Sequence, residues 1–86
     1  MKVLFHRSFE KKYKQIPVKI RNQFNERLFI FISEPFNKQL NNHGLRGKYK
    51  GCRSINITGD FRAIFEVLDE DSVRFIDIDT HGNLYK

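Results

Sequence analysis

Residues 52 to 79 alternate apolar and polar side chains in three runs separated by two tight turns, a pattern that leaves little freedom in the fold. Ile55 and Ile57 alternate within residues 52–58. Gly59-Asp60 then turns the chain into residues 61–68, and the acidic Asp69-Glu70-Asp71 turns it into residues 72–79, which carry Val73, Phe75, Ile76 and Ile78. A period of two places alternate residues on opposite faces of a strand, and connections this short join only antiparallel neighbours. The second half is therefore predicted to be a three-stranded meander.

The first half follows a different period. Val3 and Phe5 alternate with Leu4 and His6, predicting a short first strand. Ser8 is the predicted N-cap of a helix carrying Phe9, Tyr13 and Ile16 on one stripe, with Lys11, Lys12 and Lys14 largely on the other side. Pro17 suits the first turn of a second helix, whose Ile20, Phe24, Leu28 and Phe31 recur every three or four residues until Ser33-Glu34-Pro35 stops it. Residues 36–51 lack periodicity and read as a surface loop, with a helical turn near residues 37–40. The order β-α-α-β-β-β predicts an α+β, two-layer domain over residues 1–86. In it a four-stranded, mostly antiparallel sheet is packed on one face by the helical hairpin, and the other face looks onto solvent.

A chain of 86 residues must build a compact core, and nine Phe with three Tyr supply the bulk. Charge is uneven: residues 1–50 hold twelve Lys/Arg against three Asp/Glu, and residues 51–86 hold four against seven. A basic surface attracts polyanions by releasing counterions, which favours nucleic acid, with an acidic protein segment or a membrane surface as competitors. The lone Cys52 excludes an internal disulfide framework and fits a reducing compartment. Neither a signal peptide nor a membrane-length apolar run is evident, so a cytoplasmic location without membrane association is expected. No Walker, GxGxxG or metal-ligand spacing occurs, and neither metal nor cofactor is expected.

What remains is a set of groups suited to metal-free RNA cleavage. Such chemistry must deprotonate a ribose 2′-hydroxyl, stabilise charge on the phosphorane and protonate the leaving 5′-oxygen. Histidine serves either proton-transfer role because it titrates near neutrality. His43 lies on the basic loop and His81 follows the last strand, both outside the regular apolar pattern, which lets them converge at one end or face of the sheet. Arg53 and Arg62, on neighbouring strands, are candidates to bracket an RNA phosphate with their planar donor forks, and Arg62, opposed to Phe61 and Ala63 in its strand, is the better of the two. Strand parity turns Arg53 inward with Ile55 and Ile57 unless a bulge reorients it. Asp60 reads either as a turn residue or as an orienting carboxylate, Phe61 as core or as a ring that stacks on a base, and Tyr85 as a stacking ring or an apolar anchor for the C-terminus. Arg46, Lys48 and Lys50 are candidates for tracking RNA phosphates. Lys11, Lys12, Lys14, Lys19 and Arg21 read as a solvated helix face.

Six segments in this order resemble the RelE/ParE superfamily of type II toxin-antitoxin toxins, and within it the RelE/StbE and YafQ-like mRNA interferases. They are Phe9-Glu-Lys-Lys, the second helix ending before Pro35, His43-Gly-Leu-Arg-Gly, Gly51-Cys-Arg-Ser-Ile, Gly59-Asp-Phe-Arg-Ala-Ile-Phe and Thr80-His-Gly-Asn-Leu-Tyr. The resemblance implies a small sheet packed by two helices, cleavage of mRNA on the ribosome, and neutralisation by a cognate antitoxin. By the same resemblance His43, Asp60, His81 and Tyr85 match positions associated with YafQ-like catalysis, Phe61 matches an aromatic there, and Arg62 matches an arginine of the RelE branch. Two departures stand out. Asn56 occupies a strand position where YafQ-like proteins carry a further histidine, and Asp77 and Asp79 stand where that pattern resembles Arg and Gly. Alternatives are a ParE-like gyrase poison without enzymatic activity, and a degenerate module that only binds RNA or antitoxin.

Overall fold

A computed structural model describes residues 1–86. Strand β1 (Lys2–Phe5) leads into helices α1 (Arg7–Tyr13) and α2 (Val18–Ser33). After a 3-10 turn at Lys38–Leu40 come the two-residue β2 (His43–Gly44), a second 3-10 turn at Gly47–Tyr49, strands β3 (Cys52–Asn56), β4 (Phe61–Asp69) and β5 (Ser72–Thr80), and a short helix α3 (His81–Leu84). The meander and the helical hairpin are both present. The sheet has five strands rather than the expected four, in the order β1-β5-β4-β3-β2. The extra strand is β2, which pairs antiparallel with β3 through His43↔Ser54 and Gly44↔Arg53, inside what read as loop. The first strand docks beside the last, in parallel, with Val3↔Val73 and Phe5↔Phe75.

The N-cap of α1 is His6, not Ser8: His6 Nδ1 accepts from the Ser8 amide at 3.0 Å. The Ser8 hydroxyl is left free to donate to the Ile76 carbonyl at 2.7 Å, pinning α1 against β5. Ile76 interrupts the alternation of β5 for a structural reason. Phe65 pairs with Phe75 but Ile64 pairs with Asp77, so Ile76 is the additional residue of a β-bulge. Beyond it Ile78 returns to the core, while Asp77 and Asp79 fall on the opposite face.

Both helices press an aromatic-rich core onto one face of the sheet. Phe9, Phe24, Phe31, Ile55, Ile57, Ala63, Phe65, Phe75 and Ile78 are buried together there. Phe75 is its centre, with ring centroids of Phe24, Phe31 and Phe65 at 5.4, 5.7 and 5.4 Å. The other face is not left to solvent as expected. Ser54 and Ile64 on that face are buried, as is Leu84 of α3, and neither Ile64 nor Leu84 belongs to the main cluster. The loop carrying Tyr49 and the C-terminal helix come over this face, so the tail that the meander left unassigned completes a second, smaller apolar layer. No helix is long and apolar enough to cross a membrane.

Candidate active site

The face that bears α3 gathers most of the chemistry-bearing residues, and it does so at one end. Thr80 caps α3, its hydroxyl accepting from the Asn83 amide at 3.2 Å. The His81 amide donates to the Asp60 carbonyl at 2.8 Å, fastening the start of α3 to the β3–β4 turn. That turn is in turn shaped by Thr58, whose hydroxyl accepts from the Asp60 and Phe61 amides at 3.2 and 3.0 Å. Arg62 follows two residues after Asp60 and lies directly between Asn56 on β3 and Asp79 on β5. His81, Asp60 and Arg62 therefore converge on one corner of the sheet.

Two rings extend that corner. One turn of α3 places the Tyr85 ring 4.9 Å from the His81 ring, and the Tyr49 ring meets Tyr85 edge-on at 6.0 Å. Both His81 and Tyr85 are exposed. The Tyr49 hydroxyl donates to Asp77 at 2.8 Å. Burial, and next the bond to Asp77, push the Tyr49 phenol well above its ordinary value, so at neutral pH it serves as a donor and not as a base.

Charge is balanced from an unexpected quarter. Lys12 of α1 reaches across β5 to place its Nζ 2.7 Å from Asp77 and 3.3 Å from Asp79. Burial works against the Lys12 ammonium, but the two carboxylates outweigh it and raise its pKa. Burial likewise opposes ionisation of Asp79, yet bonds from the Asn83 side chain and the Thr80 amide, together with Lys12, hold its carboxyl below the usual range. Arg62 meanwhile donates to Asn56 Oδ1 at 2.9 Å and to the Gly59 carbonyl at 3.1 Å, and its buried Nε has no partner.

Other candidates lie elsewhere. His43 faces the same side as Ser54, but it sits on the edge strand β2 with Nδ1 2.7 Å from the Asn41 carbonyl. Three strand spacings of about 4.8 Å, roughly 14 Å in all, separate it from β5, so the two histidines do not meet. Arg46, Lys48 and Lys50 are exposed on the loop that brings Tyr49 in, with the Lys48 ammonium 5.1 Å from the Tyr49 ring centre. Arg53 points the other way, as strand parity indicated. It pairs across from core Phe65, donates from Nε to Asn42 at 2.8 Å, and lies 5.4 Å from the Phe36 ring. Phe61 packs against the main core on the face opposite Arg62, which is the core alternative for that ring.

Lys12, Tyr49 and Asn83 were not candidates at all. Lys12 is one lysine among several on a basic helix, and nothing local distinguishes it from its neighbours. No three His, Cys, Asp or Glu side chains converge as a bound metal would require. An apolar groove of about 400 Å³, lined mainly by Phe5, Phe9, Tyr13, Phe24 and Leu28, lies between β1 and the helices and holds none of these groups. The corner itself is an open shelf, suited to an extended polymer more than to an enclosed small molecule.

The family model for the YafQ bacterial toxin of type II toxin-antitoxin systems matches the chain over residues 1–86. Among solved structures, the crystal structure of YafQ from E. coli superposes with a TM-score of 0.81 at 19% identity, over 98% of this chain and 97% of that one. The E. coli DinJ-YafQ toxin-antitoxin complex gives 0.79 at 20% identity, covering 98% and 96%. A YoeB/ParE toxin from Agrobacterium tumefaciens gives 0.76 at 19% identity, covering 94% and 99%. At these identities the structural likeness speaks for the fold. No curated protein sequence matches the chain.

Proposed function

Since the chain belongs to the YafQ family of type II toxins, we propose that it is an endoribonuclease that cuts mRNA on the ribosome, and that a cognate antitoxin restrains it. The observation that carries this reading is the Asp60–His81 backbone bond beside Arg62, which unites a proton donor, a carboxylate and a guanidinium at one exposed corner. The ribose 2′-hydroxyl attacks the adjacent phosphorus, forming a 2′,3′-cyclic phosphate and releasing the 5′-oxygen. His81 gives its proton to that oxygen, a role its exposure beside Asp60 and Arg62 suits. Arg62 takes up charge on the phosphorane through donors that Asn56 and Gly59 leave unoccupied. Asp60 accepts the 2′-hydroxyl proton or orients the group that does. Tyr85 stacks on a base beside the scissile bond.

His43, on the far edge of the same face, contacts the strand away from the bond that breaks, while Arg46, Lys48 and Lys50 track phosphates between them. An antitoxin partner is supported by the E. coli relative solved with DinJ. The test is purified protein added to translating ribosomes, with cleavage mapped by primer extension. Cuts within the ribosomal A site, weakened on the order of 100-fold by His81→Ala or Arg62→Ala, are expected. Intact message under those conditions overturns the reading.

A second reading draws on Asn56, whose amide transfers no proton at neutral pH: a module that keeps RNA or antitoxin binding without cleavage. Salt-dependent RNA binding with no cutting supports it. Loss of supercoiling in a gyrase assay points instead to a gyrase poison.

A further inference from the structure

Arg62 and Asp79 are direct partners across β4 and β5, on the same face, where antiparallel neighbours stand close enough for a carboxylate to clasp a guanidinium. They form no ion pair. Arg62 spends two donors on Asn56 and Gly59, both neutral, and its Nε is unpartnered. Asp79 is turned away and occupied on both oxygens: Oδ1 accepts from the Thr80 amide at 2.8 Å and from Asn83 at 3.0 Å, and Oδ2 faces the Lys12 ammonium at 3.3 Å. Lys12 also meets Asp77, whose other oxygen accepts from Tyr49.

We propose that Lys12 is a positioning residue that keeps Arg62 available to a phosphate by holding Asp79, and with it Asp77, out of the guanidinium's reach. The inference rests on the ribonuclease reading for its consequence, but its geometry stands apart from whether any bond is cut. Two carboxylates on a phosphate-binding face would repel the substrate, and one of them would compete for the only arginine at the corner. A single ammonium drawn from α1 reduces the charge of the pair from two to one and saturates the competing oxygen. Its position on a different element matters. A lysine on the sheet would have to share the face with the substrate, whereas Lys12 approaches from the side of β5 and leaves the shelf open. One N–H on each terminal nitrogen of Arg62 stays unspent for a phosphate, while Nε–H is buried beneath them.

The test follows two readouts in Lys12→Gln, Lys12→Arg and the double variant Lys12→Gln with Asp79→Asn. One is affinity for a short single-stranded RNA at fixed salt. The other is the Arg62 Nε–H resonance, read by NMR with and without that RNA. In Lys12→Gln, Asp79 swings to Arg62, RNA affinity falls about tenfold, and the resonance shifts and stops responding to RNA. Lys12→Arg retains both readouts. Adding Asp79→Asn to Lys12→Gln returns affinity to within about threefold of the parent and restores the response. Should Lys12→Gln not fold, Asp79→Asn alone decides the matter by raising affinity about twofold without moving the resonance of free Arg62. A double variant as weak as Lys12→Gln, or an Arg62 resonance unmoved by Lys12→Gln, overturns the proposal, because a merely structural lysine is not rescued by removing a carboxylate. Neither readout needs cleavage, so a protein that binds RNA in this pattern yet cuts nothing defeats the ribonuclease reading while leaving the role of Lys12 standing.

Discussion

The Tyr49 hydroxyl donates to Asp77 at 2.8 Å, tying a loop between two lysines to the last strand of the sheet. Tyr49 and Lys12 meet the same carboxylate and hold their protons more tightly in the folded chain than their ordinary values of 10.0 and 10.5. For both groups the folded pKa is raised. The stability they contribute is therefore complete below about pH 10 and is lost as pH climbs through the folded values. Urea midpoints measured from pH 8 to pH 11 should stay level and then fall, and Tyr49→Phe should fall less steeply. Identical alkaline slopes in the two proteins would refute this.

The centre of the core should be far less tolerant than the outer side of α2. Phe75 is fully buried, against four other phenylalanine rings of the cluster and Phe5, whereas Phe29 is 75% exposed. Phe75→Ala should cost about 3–5 kcal/mol of unfolding free energy, and Phe29→Ala about 0.5 kcal/mol or less. Denaturant titrations of the two variants check the contrast.

The Tyr85 ring is exposed beside His81 and its hydroxyl meets no partner in this structure, so under the proposed reaction it acts through its ring. Tyr85→Phe should retain cleavage within about threefold, while Tyr85→Ala should weaken RNA binding by about tenfold, in the range of one lost base stack. A hydroxyl that transferred protons would reverse the order of the two variants.

The two histidines should separate kinetically. His81 stands beside Asp60 and Arg62, and His43 lies on the opposite edge of the sheet. His81→Gln should lower the single-turnover rate at saturating RNA by about 100-fold. His43→Gln should act mainly on affinity. Equal losses of rate in the two variants would place both imidazoles at the scissile bond and contradict the spacing seen here.

Much of this arrangement was legible beforehand because the relevant forces act locally. Phe9, Phe24 and Phe31 recur at helical spacing, Ile55 and Ile57 at strand spacing, and each buries the face that its period predicts. Parity alone turned Arg53 toward the helices and left Arg62 free. The family motifs supplied His43, Asp60, His81 and Tyr85 as candidates, but no motif carried their distances.

The amino-acid pattern by itself determined the two longer helices, the first strand and the three strands of the meander, and which residues of each face the main core, since backbone sterics and the burial of a periodic stripe are settled among near neighbours. The tertiary structure alone decided that β1 joins β5 in parallel, that Ile76 bulges, that the C-terminal helix folds over the second face, and that Lys12 rather than Arg62 answers Asp79. Those outcomes depend on which surfaces arrive together from opposite ends of the chain. A charged side chain on a helix carries no local mark of the carboxylate it will meet.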